Sequence, residues 1–249
     1  MLEIAVATMN MNVLNNPALL STNVTRISII NQGNSRNCLP QLIKNSHIEV
    51  HSFDERGLSR SRNRAIQNAT ETWLIFADDD LTFDQDIEEV FINNVRNDVD
   101  IVFFSNSDKT GPHYNKMFSK FKLAFMVTSW TFAVRVDFLR RTKVTFDTQL
   151  GLGATFKSTE ENSFVLDCFK EGARCQVLER ALVTHEGLST GFNWDAELWK
   201  SKGAFFKRNF GLPGILLLLL FIFKKVVQTK QSFFLASKWA LKGFLGYGK

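Results

Sequence analysis

An α/β fold, with a mostly parallel sheet covered by helices on both faces, is what this 249-residue sequence predicts. Three observations lead there. Over roughly the first hundred residues, apolar runs of strand length alternate with segments of helical spacing. One run, Trp73-Leu74-Ile75-Phe76-Ala77, is apolar at every position, as a strand buried on both faces is. It ends in Asp78, Asp79 and Asp80, which puts three carboxylates at the carboxyl edge of the sheet, where open α/β folds keep their ligands.

Taken in order, residues 2–8 read as a first strand. Arg26 to Asn31, apolar and β-branched, is a second, and His47 to Phe53 a third. From Gly57 to Ala69, Leu58, Ala65, Ile66 and Ala69 share a helical face that leaves the arginines elsewhere. After the strand at 73–77, Asp84 to Asn97 is a helix with an acidic first turn, and Asp100 to Ser105 a further strand. Ser107 to Lys122 is polar, contains Gly111 and Pro112, and reads as a loop. Met126 to Val136 is a strand. Glu160 to Glu171 is a helix with Thr159 as its cap, and Cys175 to Leu178 and Ala181 to His185 are two short strands.

Composition narrows the class. With 45% hydrophobic residues the chain fills a sizeable core, which argues against disorder. The 24 Phe against 2 Tyr fit a thick core or a membrane-facing surface better than a polar groove. Cys38, Cys168 and Cys175 form no close pair, so neither a disulfide framework nor a zinc site is expected, and a reducing cytosol suits them. The opening Met1 to Ala7 has no basic leader and reads as a strand, not a signal peptide.

The net charge of +5 conceals an asymmetry: from Lys200 onward there are ten basic residues and no acid, which leaves the rest of the chain net acidic. We therefore divide the chain into residues 1–199 and a tail, 200–249. In the tail the cations are interleaved with Phe205, Phe206, Phe210, Phe233, Phe234 and the run Ile215 to Phe223. No recognition motif for nucleic acid accompanies them, and none is expected as a partner. The nine apolar residues 215–223 cover about 14 Å as a helix, about half a hydrocarbon core. The tail is thus expected to be an amphipathic, apolar helical segment lying on an anionic membrane surface; a helix packed on the main domain is the alternative.

Three adjacent carboxylates repel one another unless a cation sits between them, and hard oxygen ligands suit Mg²⁺ or Mn²⁺ and hence a diphosphate. A solvated acidic turn capping the next helix is the plainer reading of the same residues. What precedes the acids separates the two. The succession of strand, helix with GLSRSRN, strand and DDD resembles the nucleotide-sugar glycosyltransferases of family 2, which have the single-domain, Rossmann-like GT-A fold. The resemblance covers roughly residues 1–190 and rests on four segments: Ala7 to Asn10, GLSRSRNRAI, ADDD, and LGLGATFKSTEEN followed by VTHEGLST.

The resemblance implies a nucleotide-sugar half at about 1–105 and an acceptor half at about 106–199. It assigns Thr8, Asn10, Asn31, Arg62, Asn63, Asp78 and Asp79 to the nucleotide sugar, with the Arg62 guanidinium reaching the nucleotide or diphosphate. Asp80 and His185 become ligands of Mg²⁺ or Mn²⁺, with Ser189 flanking the phosphates. Glu160 and Trp130 face the acceptor, and Glu161 is the general base. Asp78 and Asp80, one residue apart on an extended segment, would point the same way. Asn31, in NQGNS, stands where family members carry an acid that pairs with the base, so the base is left open, with a UDP-sugar first among the donors. The implied activity is inverting, metal-dependent transfer of a hexosyl-type sugar to a saccharide or lipid-linked saccharide acceptor. It would take place in the cytoplasm at the inner face of the cell membrane, during cell-surface polysaccharide synthesis such as capsule, exopolysaccharide or O-antigen. Two alternatives stay open: a non-catalytic peripheral membrane protein that keeps the fold, and a sugar nucleotidylyltransferase. The latter needs a Gly-rich basic loop after the first strand, and Ala7 to Asn15 supplies no Gly, Lys or Arg.

Overall fold

The computed structural model describes residues 1–33, 47–107, 112–185 and 194–248. Cys38, Gly111, Ser189 and the end of the NQGNS turn lie outside the described residues. Eight strands among them form one sheet in the order β3-β2-β1-β4-β7-β6-β8-β5. They are β1 (Leu2–Met9), β2 (Arg26–Gln32), β3 (Ile48–Phe53), β4 (Trp73–Asp78), β5 (Leu81–Phe83), β6 (Ile101–Asn106), β7 (Phe132–Arg135) and β8 (Cys175–His185). β1, β2, β3, β4, β6 and β8 point one way; β7 and β5 run against their neighbours.

The helices are α1 (Pro17–Leu20), α2 (Leu58–Asn68), α3 (Ile87–Asn94), α4 (Lys120–Met126), α5 (Val136–Thr142) and α6 (Glu160–Lys170), then α7 (Ala196–Phe210), α8 (Gly214–Thr229) and α9 (Phe233–Gly246). Alternation along β4 divides the core: Leu74 and Phe76 join the layer containing α2, α4 and α6, while Trp73, Ile75 and Ala77 join the layer containing α1 and α3. On the first side, Phe76 packs edge-on to Phe146 and Phe164, which stack on each other at 4.1 Å.

Several elements differ from the sequence expectations, each for a local reason. The helix expected from Asp84 begins at Ile87, because Leu81 to Phe83 are drawn into pairing with β8. The loop expected to run to Lys122 gives way to α4, whose cap is Ser119, its side chain accepting from Lys122 N. The strand expected over 126–136 shrinks to β7: Trp130 instead sits in a 3-10 turn, Ser129–Thr131, closed by a reciprocal Thr128–Thr131 capping box. α5 follows β7 with no turn signal between them. The two short strands after Cys175 are one strand, β8, with register shifts against β6 around Ser105. Thr159 does not cap α6 with its side chain: it holds a left-handed backbone, and its hydroxyl donates to Ser158 O.

The tail packs against the main core. Phe205, Phe206, Leu218, Ile222, Ala240 and Phe244 belong to the same buried cluster as Phe76 and Phe164. Residue 199 falls inside α7, which crosses α9 so closely that a Cβ on Gly203 would lie 1.8 Å from Ala240 O, and one on Gly243 would lie 1.9 Å from Lys200 O. Arg208 ties α7 to the main domain, donating to Asp147 and Asp167 at 2.7 Å each. No helix among the described residues is long and apolar enough to cross a membrane.

Candidate active site

β1 is flanked by β2 on one side and β4 on the other, all parallel, so the winding of the chain reverses between β1 and β4. Such a switch point opens a crevice at the carboxyl ends of the strands. The turn leaving β1 carries Asn10 and Met11 in left-handed conformations. The buried Asn31 holds it by accepting from Met11 N at 2.9 Å, while the exposed Asn10 donates its own N–H to Gln32 O. Across the crevice, Asp79 and Asp80 form a turn after β4. Thr8 Oγ1 donates to Asp79 Oδ2 at 2.7 Å, and Asn12 Nδ2 to the same oxygen at 3.3 Å. Asn16 Nδ2 donates to the carbonyls of Asp79 and Leu81. Asn12 and Asn16 carried no motif signal; only their reach of more than sixty residues to this turn reveals them.

That turn corrects the expectation that Asp78 and Asp80 share an extended segment. Asp78 ends β4 with Oδ1 3.4 Å from Arg62 Nη2, whereas Asp80 sits in the turn with Oδ2 3.3 Å from His185 Nε2. The two acids have different partners.

Arg62 organises the site's interior. It is 2% exposed, on the inner face of α2, and its Nη1 lies 3.1 Å from Glu160 Oε1 and 3.3 Å from Glu161 Oε1. A flexible arginine reaching for a ligand is not what is seen: one guanidinium is already shared by three carboxylates. Burial works against its charge, yet Glu161, Asp78 and Glu160 together outweigh that and hold its pKa above the ordinary value. One cation cannot neutralise three anions. Burial foremost, and then the Glu161 charge, push Glu160 up to about 8 against the pull of Arg62, so Glu160 keeps its proton at neutral pH. Its Oε2 is buried with no hydrogen-bond partner. Burial likewise raises Asp78, with Arg62 opposing.

The loop before α6 makes this approach possible. Gly151, at φ +101°, leaves room where a Cβ would press within 3.1 Å of the Glu160 carboxyl carbon, and Gly153, at φ +80°, lies against the Cα of Gly57. Leu58 N donates to Leu152 O, and Ser59 Oγ to Leu150 O, fixing the loop to the start of α2. Asn63 spends both ends of its amide on the backbone of Phe146, at 2.7 and 2.9 Å, and so holds the next stretch of chain.

Trp130 stacks on His185, ring centroids 4.9 Å apart, with its buried Nε1 lacking a hydrogen-bond partner. This steadies the imidazole that meets Asp80. A residue missed by sequence reasoning enters from the tail: Lys202 of α7 is half-buried, and burial lowers it to about 8 although Glu161 and Glu160 favour its charge. Nothing in the local sequence ties a lysine there to acids some forty positions earlier.

As a metal site, Asp80 and His185 supply one carboxylate and one imidazole nitrogen at the crevice mouth, and no group of three or more such ligands occurs among the described residues. Two ligands suit a small divalent ion that takes its remaining positions from water and a diphosphate. The residues present therefore fit the group.

A family model described as glycosyl transferase family 2 matches residues 12–159. The structure resembles that of S. aureus TarS 1-349 in complex with UDP, at 15% identity and a TM-score of 0.65, covering 98% of this chain and 80% of that one. The same protein in complex with UDP-GlcNAc gives a TM-score of 0.62 at 15% identity, covering 89% and 71%. Glucosyl-3-phosphoglycerate synthase from Mycobacterium tuberculosis, in complex with Mn²⁺, UDP and phosphoglyceric acid, gives 0.54 at 13% identity, covering 84% and 78%. At these identities the likeness concerns the fold. A search of curated proteins returned no match.

Proposed function

The chain belongs to glycosyl transferase family 2, and from that premise we propose that it transfers a sugar from a UDP-sugar to a saccharide acceptor with inversion, aided by Mg²⁺ or Mn²⁺. The observation that carries this reading is the convergence of Asp78, Glu160 and Glu161 on the buried Arg62 at the carboxyl edge of the sheet, beside the Asp80–His185 pair. Two structural neighbours, TarS with UDP-GlcNAc and the mycobacterial synthase with UDP and Mn²⁺, support the choice of donor and ion.

In this reading Glu161 accepts the proton of the acceptor hydroxyl as its oxygen attacks the anomeric carbon, and the nucleoside diphosphate leaves from the opposite face, so the configuration inverts. Arg62 sets the position of Glu161, and the protonated Glu160 leaves its neighbour to act as the carboxylate. Asp78 faces the sugar or ribose. Asp79, Thr8, Asn10 and Asn31 shape the donor pocket through the two turns they hold, and Asn63 contributes through the backbone it clamps. Trp130 serves by seating His185. Asp80 and His185 would hold the divalent ion, which would supply positive charge to the departing diphosphate. The residues given roles here all lie within 1–199, with α7, α8 and α9 packed on the core beneath them, and the acceptor is a saccharide or lipid-linked saccharide met at the cytoplasmic inner face of the membrane, in cell-surface polysaccharide synthesis.

Calorimetric titration with UDP, GDP and dTDP, each with and without Mn²⁺, tests the reading on wild type and Asp80→Ala. Metal-dependent binding of UDP that the variant loses is expected. Absence of binding to every nucleotide under both conditions sinks it.

A further inference from the structure

From Gly214 to Phe223, α8 is apolar all round but covered on one side only. Gly214, Leu218, Ile222 and Val226, four residues apart, face the core. The opposite stripe, Leu216, Leu220, Phe223 and Val227, is 67%, 69%, 65% and 67% exposed. A surface helix of a water-soluble protein turns polar residues outward, so this stripe is built to meet something other than water. Past the turn at Lys230, Phe234 and Leu235 at the start of α9 are also exposed, at 76% and 54%.

The surrounding charge decides between occupants. Glu197 is the last acid of the sequence, while exposed Lys224 follows Phe223 on α8 and exposed Lys238 and Lys242 lie on the Phe234 side of α9 at helical spacing. A second copy docking face to face would set these cations against themselves, whereas an anionic lipid surface complements them. Lysines of this kind extend to headgroups while their stems lie on apolar surface. Trp239 has the ammonium groups of Lys200, Lys238 and Lys242 within 5.0, 5.3 and 5.5 Å of its ring, an amphipathic cluster suited to a headgroup layer. The 16 residues of α8 span about 24 Å, short of a hydrocarbon core, and its inner face is already packed on the protein.

We propose that the outer stripe of α8, continued onto the start of α9, is an in-plane docking face for an anionic bilayer, with Leu220, Phe223 and Phe234 entering the acyl boundary and Lys224, Lys238 and Lys242 meeting the headgroups. The proposal deepens the membrane-borne acceptor of the preceding reading and rests on it for purpose, though not for its observations.

The test uses the full chain and co-sedimentation with vesicles of phosphatidylglycerol and phosphatidylcholine, against phosphatidylcholine alone. Wild type is expected to favour the anionic vesicles, and Leu220→Asp/Phe223→Asp to weaken that binding by about tenfold or more. A second variant, Lys224→Glu/Lys238→Glu/Lys242→Glu, keeps the stripe and is expected to lose the preference for phosphatidylglycerol. It carries the test should the first not fold. Phe223→Trp is expected to shift its emission to the blue and be quenched by brominated acyl chains. Equal binding of wild type to both vesicles, or wild-type binding by both multiple variants, overturns the proposal. So does a stable dimer without vesicles that the aspartate substitutions separate. UDP titration without vesicles reads the catalytic proposal independently, so either can fail alone.

Discussion

Replacing Glu160 by glutamine tests the electrostatics of the site at their most strained point. The native carboxyl holds its proton to about pH 8, whereas in the unfolded chain it releases it near 4.5. Between these values the folded state binds the proton and the unfolded state does not. The contribution of Glu160 is therefore fully present below pH 4.5 and is lost as pH rises to about 8. At about 1.4 kcal/mol for each tenfold change in proton affinity, an elevation from 4.5 to about 8 is worth at most about 5 kcal/mol. Glutamine imitates the protonated acid, still accepts from Arg62 and cannot ionise. Urea unfolding at pH 5, 7 and 9 should show wild type losing several kcal/mol relative to Glu160→Gln by pH 9, with the gap opening steadily on the way. Parallel pH profiles, within about 1 kcal/mol, would refute the argument that one guanidinium leaves the most buried of its three acids un-neutralised.

Three further outcomes are expected. Glu161→Gln should lower turnover of the nucleotide sugar by about 10²- to 10⁴-fold while UDP affinity by calorimetry stays near that of wild type. Gly203→Ala should destabilise the protein by about 1–3 kcal/mol or more in chemical denaturation, since the new methyl group meets backbone at 1.8 Å and must part α7 from α9. Lys202→Met should raise the melting temperature at pH 7. The native lysine titrates at about 8 instead of 10.5, so its penalty is present below pH 8 and fades as pH rises through 10.5, where the two melting curves should converge.

The strands that build the crevice were legible because β4 is an apolar run up to its final Asp78, β1 is broken by few polar residues and β2 is rich in β-branched isoleucine, while α2 keeps its apolar residues on one face. β5 was not: Leu81-Thr82-Phe83 is a strand only because β8 lies beside it, a partner a hundred residues away. α5 was missed because Val136 starts it directly after β7, leaving no turn residue to mark the change. In the site, the acids were singled out by the DDD motif and the family resemblance, and their pairings with Arg62 and His185 were not legible in the sequence. Arg62 sits between Arg60 and Arg64, and no local pattern says which of the three is buried; that is decided by Glu160 and Glu161, 98 and 99 residues on. Asn31 and Asn63 look like ligand-binding amides in the sequence, and the structure engages both with the protein's own backbone.

Arg208 has a consequence for how such a chain can be inherited. Its guanidinium reaches Asp147 on the loop before α6 and Asp167 within α6, and the Tyr247 hydroxyl donates to the same Asp147. A recombination event that replaced everything after residue 195 would strip Asp147 of Arg208, leave Asp167 only its helical neighbour Lys170, and uncover the face on which Phe205 and Phe206 lie. The last fifty residues are thus not an interchangeable cassette. They have to change in step with the loop and helix they hold, and relatives that have traded this end for another should show paired changes at positions 147 and 167.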